Sequence, residues 1–132
     1  MSKQIIGNDK YPLKPHNSPA VKVPGLVFAS GQVGQGDIKT ATTQSLTALK
    51  EVLELSGSSL DKVVKFNIYL KDMDDMLPMN DVFVSLLPEG PKPARTCIQA
   101  GKLPGGETAR IEIEAIAVVE MGSMCCMNAG ST

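Results

Sequence analysis

Arginine is scarce in this 132-residue chain: of 13 basic residues only two, Arg95 and Arg110, are arginine. Histidine is scarcer still, with His16 alone. One histidine and no paired ligand spacing argue against a metal centre. Three cysteines are an odd number, and two of them, Cys125 and Cys126, are adjacent near the end. That is no disulfide framework, and it fits a reducing cytoplasmic setting, with a mitochondrial address as the alternative. Positive charge is never concentrated, and the formal net charge is −1. A nucleic-acid binder draws much of its affinity from a basic stripe, so RNA or DNA is not expected as the main partner. No apolar run approaches the roughly 20 residues of a membrane-spanning helix. The polar start, Met-Ser-Lys-Gln, leads into no apolar segment of a secretory signal. Internal repeats are also missing.

What is present suffices for one core. Apolar residues make up 42% and charged residues 20% of the chain, as in an ordinary soluble domain. A single domain is expected over residues 1–120, followed by a flexible tail over 121–132, where all periodicity stops. Residues Met1 to Pro19 read as an irregular arm or an edge strand. Ala20–Val23 and Leu26–Val33 flank the turn dipeptide Pro24-Gly25, which predicts a β-hairpin. Ser30 and Gly31 then mark either a bulge or a place where backbone comes close to a ligand. After a short loop, Gly34 to Asp37, apolar and small residues recur at three- and four-residue steps from Ile38 to Ser56. This predicts an amphipathic helix, ended by Gly57. Lys62 to Lys71 alternates as a strand, with Val64, Phe66, Ile68 and Leu70 on one face and Asn67 and Tyr69 on the other. A second helix is expected after Asp72-Met73-Asp74-Asp75, with Met76, Met79, Val82, Phe83 and Leu86 buried and Pro78 in its first turn.

The most informative stretch runs from Pro93 to Val119. Two patterned runs separated by Gly101 to Gly106 suggest an antiparallel strand pair with a long loop. Arg95, Cys97 and Gln99 share one face of the first run. In the second, Ile111, Ile113, Ala115 and Ala117 form an apolar face. Its opposite face begins Arg110, Glu112, Glu114 and turns apolar at Ile116 and Val118. If the two polar faces coincide, an arginine, a thiol and carboxylates meet on one ribbon. A plain alternative is that Arg95 pairs across the strands with Glu112 or Glu114 and only holds them together.

The expected order is strand, strand, helix, strand, helix, strand, strand, an α+β sheet with two helices on one face. Those helices cannot also cover Ile116, Val118, Asn67 and Tyr69. In so short a chain the simplest cover is a second copy, so a homo-oligomer is expected, with the polar patch at a seam between subunits.

The runs PARTCIQAGKLPGG and RIEIEAIAVVE closely resemble the C-terminal signature of the Rid (YjgF-type) family of imine deaminases. VFASGQV at Val27 to Val33, SSLDKVVKFNIYLKDMDD at Ser58 to Asp75 and MNDVF at Met79 to Phe83 extend the resemblance, in the family's order, over nearly all of Pro15 to Glu120. The resemblance implies a chorismate-mutase-like α+β fold, a homotrimer with clefts between subunits, and hydrolysis of 2-imino or enamino acids to 2-keto acids and ammonia. No cofactor or metal is implied. Translation-inhibitor endoribonucleases among the relatives, and a non-enzymatic small-acid-binding or chaperone-like trimer, are the alternatives.

Carried over by residue, the resemblance gives Arg95 the substrate carboxylate and Glu112 the attacking water. Cys97 becomes a pocket residue whose backbone serves the imine nitrogen. Ser30 and Gly31 form a small pocket wall, and Asn80 stands at the cleft edge. His16 occupies a position where many members have tyrosine, which bears on substrate range. The loop Gly34 to Asp37 is also shorter than in the family.

Overall fold

The computed structural model describes residues 2–120; the tail expected over 121–132, with Cys125 and Cys126, lies outside the described residues. Six strands form one sheet: β1 (Gln4–Ile6), β2 (Ala20–Val23), β3 (Leu26–Gln35), β4 (Val63–Leu70), β5 (Ala94–Gln99) and β6 (Ala109–Val118). Their spatial order is β1-β2-β3-β6-β4-β5. Helices α1 (Ile38–Leu55) and α2 (Met76–Leu86) complete the fold. Of the two anticipated forms of the N-terminal segment, the edge strand is present as β1, paired with β2. An irregular arm over residues 7–19 follows it.

Alternation in β6 decides where the core lies. Ile111, Ile113, Ala115 and Ala117 are buried, while Glu112, Glu114 and Ile116 between them are half-buried. The buried set joins Val27 of β3 and Phe66, Ile68 and Leu70 of β4 beneath Ala41, Leu46, Leu49, Val52 and Leu53 of α1. Each fully buried Leu, Ile or Phe side chain contributes about 1.5–3 kcal/mol of transfer free energy. Asp37 caps α1 by accepting from the Thr40 amide at 3.2 Å. The segment expected to be a loop from Gly34 is instead strand as far as Gln35. A Cβ on Gly34 would lie 1.8 Å from the Ala41 carbonyl oxygen, so glycine there lets α1 seat directly on β3.

In α2, Met79 and Phe83 are buried as the spacing predicts, but Leu86 is 41% exposed and Leu87 takes the buried place beyond the helix end. Pro78 falls in the first turn, where its missing N–H breaks no helical bond.

One expectation is overturned. β5 and β6 do not pair: β4 lies between them, antiparallel to β6 and parallel to β5. The physical reason is α2. A helix between two strands makes a crossover connection, which returns the chain parallel to the strand it left. Strand register then assigns the faces. Arg95 stands beside Phe66 and Cys97 beside Ile68, on the helix side of the sheet. Glu112 stands beside Tyr69 and Glu114 beside Asn67, on the opposite side. On that open face Phe28, Ile98 and Val118 are between 41% and 48% exposed, so the helices cover one face only, as the pattern required.

Candidate active site

The predicted site residues fall into two groups on opposite faces of the sheet. The first group surrounds Glu112, which sits in β6 between Val33 of β3 and Tyr69 of β4. Beside it β3 carries a bulge: pairing shifts between Ala29 and Gln32, so Ser30 and Gly31 together oppose Glu114. A bulge of this kind re-aims the strand and opens space next to it. Gly31 uses that space, because a Cβ there would meet Cγ, Cδ and Oε2 of Glu112 at 2.7 Å. Ser30 is occupied otherwise: its hydroxyl donates to the Ser18 carbonyl at 2.6 Å and its amide to the Pro19 carbonyl at 2.9 Å. It ties the arm to the sheet rather than pointing a free hydroxyl at a ligand.

Between arm and bulge lies a cavity of about 440 Å³, lined among others by His16, Ser30, Gly31, Val33, Pro104 and Glu112. His16 sits in a tight turn closed by reciprocal backbone bonds between Lys14 and Asn17 at 2.9 and 3.3 Å. Burial pushes the Glu112 carboxyl up from its ordinary range, and the neighbouring charge of Glu114 pushes the same way. Glu114 is held by the Asn67 side-chain amide, which donates to it at 3.0 Å. The Tyr69 phenol is likewise raised, first by burial and then by the charge of Glu114.

The second group surrounds Arg95 at the start of β5. Its Nη1 donates to Asn80 Oδ1 at 2.7 Å, and its guanidinium carbon lies 5.2 Å from the centroid of the Phe83 ring. Phe83 is itself fixed edge-on against Phe66, with centroids 5.1 Å apart. A stacked guanidinium with one donor anchored is aimed rather than mobile. Among the described residues no carboxylate pairs with it, so neither Glu112 nor Glu114 takes the cross-strand role considered above. Arg110 provides the contrast. Its Nε and Nη2 donate to the two Asp75 oxygens at 2.7 and 3.1 Å, and its fork is spent on holding the start of α2. Cys97 shares the Arg95 face and is half-buried. Burial pushes its thiol up, partly opposed by the Arg95 charge, a direction that favours the neutral thiol over the thiolate.

Arg95, Asn80 and Cys97 are thus brought together, and so are Glu112, Ser30, Gly31 and His16. The ribbon expected to carry both groups does not exist within one chain. Sequence reasoning missed Phe83 as a platform, because its helical spacing marks it equally as core. It also missed Tyr11 and Lys10 on the cavity wall; no periodicity in the arm signals them.

A mixed sheet with two helices on one face is the architecture of a YjgF-type α+β domain; at its edge stands an arginine that, among the described residues, no carboxylate pairs, and a half-buried glutamate lies behind a bulge on the other face. Comparison with known proteins places the chain within that class. The profile of the endoribonuclease L-PSP family matches residues 8–119, and the chain belongs to this family, also called Rid or YjgF. The mitochondrial protein mmf2 of Schizosaccharomyces pombe is 43% identical over 89% of this chain and 98% of its own length. A 2-iminobutanoate/2-iminopropanoate deaminase of Dermatophagoides farinae is 36% identical over 83% of this chain and 89% of its own. The crystal structure of RidA from an Antarctic Psychrobacter superposes with a TM-score of 0.79 at 38% identity, covering 88% of this chain and 99% of that one.

Proposed function

We propose that this protein hydrolyses 2-imino and enamino acids to 2-keto acids and ammonia, in clefts between the copies of a homotrimer. The observation that carries the reading is Arg95: a fixed guanidinium with one donor held by Asn80 and, among the described residues, no carboxylate on its fork, in a chain whose other arginine is already paired. Such a fork suits the carboxylate that every 2-imino acid carries. Glu112 supplies the second function, but from the other face of the sheet, so a complete site needs Arg95 of one copy and Glu112 of another. The open apolar face around Phe28, Ile98 and Val118 supports such an assembly.

The chemistry then runs in successive proton transfers. Glu112 takes a proton from water as the oxygen attacks C2 of the protonated imine, giving a carbinolamine, and returns that proton to the nitrogen. As the C–N bond breaks and ammonia leaves, the ionised Glu112 takes the remaining hydroxyl proton, the C=O bond of the keto acid forms, and the proton passes to the departing ammonia as ammonium. A carboxyl raised toward neutrality holds a proton midway better than an ordinary one. The deaminase name of a relative 36% identical points the same way. The partners on this reading are small carboxylates and the chain itself, and neither nucleic acid nor membrane has a part. A reducing compartment is proposed, the cytosol first, although the relative mmf2, a mitochondrial protein, favours mitochondria.

The test couples a dehydratase that releases the imine to timed detection of keto acid. Added protein should accelerate keto acid release, and Arg95→Lys should remove most of the acceleration. Lysine keeps the charge but loses the fork. Full activity of that variant contradicts the carboxylate assignment, and saturable binding without turnover indicates a binder instead of an enzyme. The family's name, endoribonuclease L-PSP, supports a second reading, RNA cleavage. It requires that purified protein cut RNA at physiological salt and that Glu112→Gln abolish the cutting.

A further inference from the structure

The arm over residues 7–19 walls the Glu112 cavity, yet it is built of turns and one isolated bridge. Ser30 holds its far end through Ser18 and Pro19. Its middle is held from elsewhere, by α1. Lys10 Nζ and the Tyr11 hydroxyl both donate to one oxygen of Glu51, at 2.7 and 2.8 Å. Tyr11 is presented in a set conformation, because the Asn8 amide donates to its carbonyl at 2.8 Å and its own amide donates to Asn8 Oδ1 at 2.7 Å. Lys10 and Tyr11 line the cavity; Glu51 does not, and stands behind them.

We propose that Glu51 is a positioning residue for the substrate site: through Tyr11 it holds the arm, and with it His16, against the cavity. The inference rests on the deaminase reading for its kinetic part only. Its two contacts are unequal. The Lys10 side chain is 67% exposed, and exposed ion pairs contribute little. The Tyr11 bond is partly buried and made to an ionised acceptor, so it carries most of the effect.

The experiment uses the full chain and the variants Glu51→Ala, Glu51→Gln, Tyr11→Phe and Lys10→Ala. Amide hydrogen exchange over residues 8–17 should quicken roughly tenfold in Glu51→Ala, as loss of one charge-assisted hydrogen bond implies, while β6 stays protected. With 2-iminopropanoate generated in the assay, KM should rise several-fold and kcat stay within about twofold. Tyr11→Phe should reproduce most of both changes and Lys10→Ala little. Glu51→Gln should fall between, because its amide oxygen still accepts from Tyr11. A purely structural role for Glu51 predicts a lower Tm without faster exchange confined to the arm. Unchanged exchange in Glu51→Ala, or faster exchange with unchanged KM, overturns the proposal. If the wild-type protein shows no turnover, the deaminase reading falls alone. The positioning role is then decided by the exchange and by the affinity for 2-ketobutanoate.

Discussion

Replacing Gly31 by alanine should damage the chemistry far more than the fold. Gly31 does not have a left-handed backbone, so alanine meets no conformational penalty there. The problem is space: the new methyl lies 2.7 Å from Cγ, Cδ and Oε2 of Glu112, where carbon atoms need about 3.5–4.0 Å. The Glu112 side chain must retreat by roughly 1 Å. Because it is a flexible, half-buried side chain facing a cavity, the retreat costs stability no more than about 1 kcal/mol, the low end of overpacking. For catalysis the same 1 Å displacement of the proton-transferring group costs on the order of 100-fold. Gly31→Ala should therefore fold, keep its assembly and melt near the wild-type temperature, with kcat/KM for 2-iminopropanoate about 100-fold lower and most of the loss in kcat. Stopped-flow detection of keto acid beside a thermal melt separates the two quantities. Unimpaired kcat in a folded Gly31→Ala protein refutes the placement of Glu112 at the reacting centre.

Glu112→Gln should abolish turnover and raise Tm at neutral pH, because the native state disfavours this carboxylate's charge. That gain should vanish in acid, where the wild-type group is protonated in both folded and unfolded chains. On the proposed mechanism Glu112 works ionised, so kcat/KM should fall as pH drops through a pKa above the ordinary 4.5, and an acid limb below 4.5 contradicts the assignment. Asp75→Ala strands the Arg110 fork and should cost about 2 kcal/mol in urea unfolding, with kcat little changed because Arg110 has no chemical part. Arg95→Lys should lower kcat/KM by roughly 10- to 100-fold with the assembly intact, as measured by the coupled assay and sedimentation.

Much of this fold is legible in the sequence because its signals are local. The Pro24-Gly25 turn, the helical period from Ile38, and the alternation of β4 and β6 each depend on near neighbours. Most strand faces are also legible, and Arg95 and Cys97 do share one. In β4 the expected place of Val64 beside Phe66 is wrong, because a register shift between Val63 and Lys65 buries Val63 and leaves Val64 45% exposed. Which strand lies next to which is not local. Reading β5 and β6 as a pair rests on their adjacency in sequence, while the helix between β4 and β5 was the signal for a parallel crossover. That single exchange moves Arg95 to the opposite side of the sheet from Glu112. Gly34 reads as loop because its role, admitting α1, belongs to packing. The grip of Glu51 on Tyr11 joins residues 40 positions apart and leaves no periodic trace.

The central claim is that one working site takes its arginine and its glutamate from two different copies. Arg95→Ala and Glu112→Gln chains, each inactive alone, can be denatured together in equal amounts and refolded as mixed assemblies. Each cleft then draws a native arginine from one kind of chain and a native glutamate from the other in one case of four. The account predicts recovery of about a quarter of wild-type activity. No recovery from mixed assemblies of confirmed composition would contradict it.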